Sequence, residues 1–383
     1  MIYFDNAATT FKKPNRVYEA VLDTLKNKAG NPSRGGHKAA LDASRVIFDA
    51  RRRLAKFFNV PSSKEIIFTK NATEANNLIL KGLIEEEDHV ITTDLEHNSI
   101  YRPLNRLKKE RGIDVSTIDT SQSIDNFLKD IETAINDQTK LIVMTHASNV
   151  TGAILATEEV GQIAKENNII FAVDAAQTAG VLDIDVQTMN IDFLSFTGHK
   201  GLLAPQGVGG LYINSEIEFA PLLEGGTGGS SKEKLNPNIL PDKYESGTLN
   251  TPAIAGLKAG IEFLEKEGLD RIYNHELELL NRLTSGLLEM KEVKILDTKA
   301  KKNKVAVISF IVSGIKSATI GNLLDKNYDI AVRTGLHCAP LAHQSIGTYD
   351  VGTVRVSFSY FNTIEEVDIF LKALKDIINT RCK

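Results

Sequence analysis

Between residues 65 and 196 the chain alternates short apolar runs with amphipathic stretches. The runs at 65–69, 90–92, 141–144, 169–173 and 193–196 are nearly continuous in Ile, Val, Leu and Phe. Such runs read as strands buried on both faces, because a half-exposed strand would alternate polar and apolar positions. Between several of them apolar residues return at helical spacing, as over 157–167, where Thr157 with Glu159 and Val160 reads as a capped helix start. Strands separated by helices predict a largely parallel sheet covered on both faces, the α/β class.

After about residue 250 the rhythm changes. Two long helical patterns, 251–267 and 269–290, lead into apolar runs at 305–310 and 354–358, and an amphipathic helix follows over 363–379. Helices and strands in this order predict a smaller α+β unit. The glycine-rich segment 225–231, with Asn236 and Pro237 soon after, reads as a flexible linker or as a loop at an active-site mouth or subunit contact. There is no internal repeat.

At 383 residues the chain suits a large domain plus a smaller one. Hydrophobic residues at 42% and charged residues at 25% are ordinary globular values, which argues against disorder. A net charge of −4 gives no reason to expect nucleic acid or an anionic membrane as partner. No apolar stretch is long enough to span a bilayer, and the start lacks a basic-then-apolar leader, so a cytoplasmic protein is expected. The two cysteines, Cys338 and Cys382, form neither a metal knuckle nor a disulfide framework, and no metal is expected. Cys382 reads as an exposed bystander.

Ligands of open parallel sheets sit at the carboxyl ends of the strands, so polar residues just past each run are the first candidates. Asn71, Ala72 and Thr73 open a helix that is either plainly capped or suited to a phosphate, since free N–H groups and the helix dipole favour an anion. Asp174, after the run ending at Val173, is a helix cap or the partner of a protonated pyridine nitrogen. Lys200, after the run 193–196, is a surface lysine or one whose charge is consumed in a Schiff base. His97 is a satisfied polar residue or a proton carrier stacked on a cofactor ring. Each alone is ambiguous; their order and spacing are not.

The combination resembles the class V aminotransferase-like group of fold-type I pyridoxal-phosphate (PLP) enzymes, and within it the cysteine desulfurase and selenocysteine lyase family. The resemblance runs from residues 3–10 to 355–357 through the segments 71–76, 146–149, 173–177, 197–200, Gly247 with Thr248, and 333–338. It implies a large PLP-binding α/β domain over 14–250 and a small α+β domain from 1–13 and 251–383 that carries a cysteine loop. It further implies that Lys200 holds PLP covalently and moves protons, that Asp174 pairs with the pyridine nitrogen, that Gln177 bonds the ring hydroxyl and that His97 stacks on the ring. Ala72, Thr73, Thr197 and His199 would form the phosphate cup, Asn149 would lie near ring and substrate, and Arg355 would hold the substrate carboxylate as a planar fork. Thr248 would reach the phosphate of the neighbouring subunit in a homodimer with shared active sites.

Cys338 narrows the reaction. A free cysteine is commonly a small buried hydrophobe, but Gly335, Ala339 and Pro340 place this one in a loop. Arg333 and His337 read as cationic neighbours that would raise its thiolate fraction. The resemblance then implies removal of sulfur from L-cysteine to give L-alanine and a persulfide on Cys338, passed on to a sulfur-acceptor protein. The alternatives are a selenocysteine lyase acting on L-selenocysteine, a PLP aminotransferase, and a non-catalytic sulfur-relay protein. A nicotinamide dehydrogenase is disfavoured, because no Gly-x-Gly-x-x-Gly follows the first strands. Two segments depart from the family pattern. In 339–348, His343 reads as a solvent-facing loop residue; in 31–37, Arg34 and His37 border the substrate entrance without assigned roles.

Overall fold

Each of the five apolar runs forms a strand of one seven-stranded sheet in the computed structural model, which describes residues 1–32, 36–299 and 301–381. Arg34 and Cys382 lie outside the described residues. The sheet strands are β1 (Ile66–Thr69), β2 (His89–Thr93), β3 (Asp114–Ile118), β4 (Thr139–Thr145), β5 (Ile170–Asp174), β6 (Phe193–Thr197) and β7 (Gly209–Ile213). Their order across the sheet is β1-β7-β6-β5-β4-β2-β3. All neighbours run parallel except at β7, which is antiparallel to both β1 and β6.

The continuous apolar character follows from burial on both faces. Along β4, Leu141 and Val143 pack with the helices α3 (Ala72–Leu83) and α4 (Asn98–Arg111). Ile142 and Met144 point the other way, into a core shared with α2 (Lys38–Phe57), α6 (Thr157–Glu166) and α7 (Thr251–Glu267). The two-residue period of a strand thus feeds two hydrophobic layers at once. Two elements differ from expectation. Helix α6 starts at Thr157, but Ala156 is its N-cap and no side chain caps it. The run at 305–310 becomes a strand over Val307–Val312, because the Val305 N–H bonds to the Gly152 carbonyl instead of entering the ladder.

A second core gathers Phe4, Leu279, Leu283 and Leu287 of α8 (Leu269–Leu288), and Val367, Phe370 and Leu374 of α11 (Ile364–Arg381). They cover an antiparallel sheet of β8 (Val293–Leu296), β9 (Val307–Val312), β10 (Arg333–Gly335) and β11 (Thr353–Ser357), ordered β8-β9-β11-β10. The first residues belong here too, since Ile2 and Tyr3 pair with Ile330 and Ala331. Residues 5–10 then cross to the large sheet, where the Thr10 N–H and hydroxyl bond to the carbonyls of His199 and Lys200 at 2.9 and 3.0 Å. Among the described residues no helix is long and apolar enough to cross a membrane.

A buried ion pair ties the sheet edge to the segment leading into Gly247. Arg51 and Glu245, each 6% or 9% exposed, form two parallel bonds of 2.8 Å, and Glu245 also accepts the Phe68 N–H at 2.6 Å. Arg51→Ala would leave a buried carboxylate without its cation, a loss of about 3–5 kcal/mol. Urea unfolding of the variant should show a correspondingly lower midpoint; an unchanged midpoint would mean that water or another cation replaces Arg51.

Candidate active site

The carboxyl ends of β1, β2, β4, β5 and β6 open on one cavity of about 310 Å³. Lys200, Asp174, Gln177, His97, Asn149, Thr197, His199, Ala72, Thr73, Cys338 and Arg355 all line it, together with Ala7 and Ala8 of the N-terminal crossing. Of the residues expected to bind cofactor or substrate, Thr248 is the one that lies elsewhere among the described residues. It is exposed and lines a second cavity with Lys70, Glu74 and Tyr244. Gly225 lies against Ser246 of that second cavity, and no residue of the glycine-rich 225–231 lines the first. The segment is no loose linker, since the Asn236 side chain donates to the carbonyls of Leu223 and Lys243 and accepts from the Gly225 N–H.

Asp174, 4% exposed, ends β5 as a carboxylate surrounded by donors. One oxygen accepts the Ala176 N–H at 2.9 Å; the other accepts Asn76 Nδ2 at 2.8 Å and the Ser99 hydroxyl at 3.3 Å. On their own helices Asn76 and Ser99 look like ordinary polar positions, and nothing local in the sequence points to them. Glu96 beneath them is fully buried, and burial pushes its carboxyl up to about 8, so it holds a proton at neutral pH.

His97 is the N-cap of α4, and its Nδ1 accepts the Ser99 N–H at 3.0 Å. That bond fixes the tautomer: the ring proton sits on Nε2. Burial first, then the charge of Lys200, lowers its pKa to about 4, so the ring is neutral. Burial also lowers Lys200, to about 8, against the attraction of Asp174. At that value roughly a tenth of its amine is free base at pH 7, far more than for an ordinary lysine.

At the N-terminus of α3, Asn71 caps by accepting the Glu74 N–H at 3.0 Å, which leaves the N–H groups of Ala72 and Thr73 without an intrahelical acceptor. Gly209 lets this turn sit against the sheet, since a Cβ there would lie 2.8 Å from Asn71 Cα. Lining the same cavity, Thr197 Oγ1 and His199 Nδ1 are buried with no hydrogen-bond partner among the described residues. Orphaned donors beside a helix N-terminus suit a phosphate. A ring carboxylate partner, a depressed lysine and this anion cup together fit PLP.

The cysteine loop reaches the cavity from the other side. Cys338 is exposed, and it and His337 both adopt left-handed backbone, with φ of 59° and 49°. Two residues beyond the carboxyl ends of β2 and β4 hold the loop: the Asn98 N–H donates to the Cys338 carbonyl and Asn149 Nδ2 to the His337 carbonyl, both at 2.7 Å. Arg355, 2% exposed on β11, donates from Nη1 to the Asn149 carbonyl at 3.0 Å and from Nη2 to Asp5 at 2.7 Å. Its Nε is buried without a hydrogen-bond partner among the described residues. Asp5, unassigned in the sequence reading, also pairs with Arg333 at 3.5 Å.

Two expectations about this loop are corrected. His337 is not cationic: burial, with Arg355 and His343 adding to it, holds its pKa down at about 2, and its Nε2 pairs with the Thr353 hydroxyl at 2.7 Å. The cations within electrostatic reach of Cys338 are Lys200 and Arg355, whose pKa values it raises slightly against the larger effect of their burial. His343 is not solvent-facing either. It is fully buried in α10 (Pro340–Ser345), its ring 5.4 Å from that of His337 and its Nδ1 on the Thr348 hydroxyl at 2.8 Å. His37 caps α2 and does not line the cavity.

Comparison with known proteins agrees with this arrangement. Residues 2–370 match the family described as aminotransferase class-V. A probable cysteine desulfurase of Pyrococcus abyssi is 36% identical, covering 99% of this chain and 95% of that protein. Another from Borreliella burgdorferi is also 36% identical, covering 99% and 92%. Among solved structures, an apo cysteine desulfurase from Thermococcus onnurineus superposes with a TM-score of 0.91 at 37% identity, covering 99% and 95%. The cysteine desulfurase CsdA of Escherichia coli does so at 0.88 and 26%, with the same coverage.

Proposed function

Because the chain belongs to the class V aminotransferase family, we propose that it works as a cysteine desulfurase, taking sulfur from L-cysteine, releasing L-alanine and carrying the sulfur on Cys338 to an acceptor protein. The observation that carries this reading is the exposed Cys338 on the rim of the cavity lined by Lys200, Asp174 and Arg355. PLP, with Asp174 as the partner of its ring nitrogen, would supply an electron sink for the pair left when the substrate loses its Cα proton. Lys200 would hold its aldehyde carbon, Gln177 its ring hydroxyl, and Ala72, Thr73, Thr197 and His199 its phosphate, while His97 stacks on the ring.

The residues of the chain do the rest. Arg355, its two Nη groups fixed by Asn149 and Asp5, presents Nε to the substrate carboxylate. The Lys200 amine, free base in part because of its desolvation, takes the Cα proton and returns it. His97 offers a proton only from Nε2. The Cys338 thiolate attacks the substrate sulfur, the S–S bond forming as the C–S bond breaks with its electron pair to carbon; that carbon takes a proton and alanine leaves.

Thr248 does not line the cavity of Lys200 in its own chain; in a homodimer with shared active sites it would reach the phosphate of the neighbouring subunit. In this reading residues 14–250 form the PLP domain, with α7 (Thr251–Glu267) packed into its core; the remaining flanking segments form the small domain, and the enzyme is cytoplasmic.

The test is a single turnover of Cys338→Ala with L-cysteine. Sulfur release should fall roughly 100-fold or more while the cofactor spectrum is kept. Sulfide at the wild-type rate would remove Cys338 from the reaction.

A further inference from the structure

The chain carries a formal charge of −4, yet α4 alone bears Arg102, Arg106, Lys108, Lys109 and Arg111 against a single carboxylate, Glu110. This helix starts at the cysteine loop, where the Asn98 N–H holds the Cys338 carbonyl. Between α4 and α3 runs a groove of about 420 Å³ whose rim includes Lys81, Arg102, Arg106 and Cys338 itself. Lys81 and Arg102 are exposed and form no ion pair among the described residues, whereas Arg106 pairs with Glu110. The groove lies on the face of α3 that carries Thr73, Asn77 and Lys81; the neighbouring face, with Glu74 and Leu78, lines the cavity of Thr248.

We propose that the sulfur acceptor docks in this groove with an acidic protein segment that brings its thiol to Cys338; the proposal rests on the persulfide reading of Cys338 above. Two exposed cations along a groove that ends at the nucleophile, neither in an ion pair among the described residues, would steer carboxylates into it and raise the encounter rate, an effect that salt weakens. A short acidic segment fits better than a nucleic acid. A long polyanion would meet the net negative charge of the rest of the chain, while a few carboxylates match a few cations.

The test loads Cys338 of the PLP enzyme with sulfur from L-cysteine and follows transfer to two synthetic pentapeptides. One has a central cysteine flanked by two Asp and two Glu, the other the same cysteine flanked by Asn and Gln. Both are run on the wild type and on Lys81→Glu/Arg102→Glu, so that taking ratios between enzymes cancels the intrinsic reactivity of each peptide. Reversal should slow transfer to the acidic peptide about tenfold at low salt, leave the neutral peptide within about twofold, and lose its effect near 0.5 M salt. Lys81→Gln/Arg102→Gln should fall between. Alanine formation with a small neutral dithiol should stay unchanged in every variant, which also checks folding. Equal ratios for both peptides would overturn the docking alone. A single-stranded RNA that blocks transfer to both peptides at lower concentration than a polyglutamate of equal charge would also overturn it, in favour of nucleic acid. Failure to form the persulfide would overturn the reading of Cys338, and the docking with it.

Discussion

Lys200→Ala should fold and bind pyridoxal phosphate, yet form alanine from L-cysteine about a thousandfold more slowly or worse. The amine is asked to do two things that alanine cannot: hold the cofactor aldehyde and carry the Cα proton. Its suitability comes from its place. Desolvation lowers it to about 8 while Asp174 keeps it from falling further, so both protonation states are within reach near neutrality. Lys200→Arg separates charge from proton transfer, because a guanidinium keeps the positive charge and does not deprotonate. It should be as inactive as the alanine variant. A readout independent of turnover is borohydride treatment, which should fix the cofactor to the wild-type chain and to neither variant. Activity above one tenth of wild type in Lys200→Arg would mean that another base takes the proton.

The sheet was legible because its central strands are buried on both faces, and such strands leave continuous apolar runs. Strands β3 and β7 escaped for the same reason reversed. β3 (Asp114–Ile118) is an edge strand with polar, partly exposed positions, and β7 opens on Gly209 and Gly210, which carry no side-chain signal. The strand-end residues were legible as a set, since a parallel sheet sends every carboxyl end to one edge. What surrounds them was not. Asn76 meets Asp174 across 98 residues, and Asp5 meets Arg355 across 350. No local pattern announces either meeting.

The histidines of the cysteine loop show the limit most clearly. In sequence His337 and His343 sit among small and polar neighbours and read as charged or solvated. Packing of α10 against the loop buries both rings, and burial makes them neutral. The character of an ionisable side chain follows from its desolvation, which composition does not encode. The same holds for Glu96, a carboxyl next to the active-site histidine that carries a proton at neutral pH.

Asp174→Asn should lower kcat by about 100-fold or more, although it changes the side chain by a single atom type. Both carboxylate oxygens already accept: one from the Ala176 N–H, the other from Asn76 and Ser99. An amide in either orientation turns an –NH₂ toward one of these donors, and a buried mismatch of that kind costs about 1–3 kcal/mol. It also removes the negative charge that would pair with a protonated ring nitrogen, a buried partner whose loss costs about 3 kcal/mol or more. At 1.36 kcal/mol per factor of ten, the charge loss alone accounts for about two orders of magnitude in rate. Asn76→Ala offers the contrast, for it keeps the charge and removes one donor; it should cost about tenfold at most. The visible spectrum supplies a second readout, since the band of bound cofactor should shift in Asp174→Asn and hold its position in Asn76→Ala. Should Asp174→Asn turn over within tenfold of wild type, the carboxylate does no more than cap the turn at Ala176.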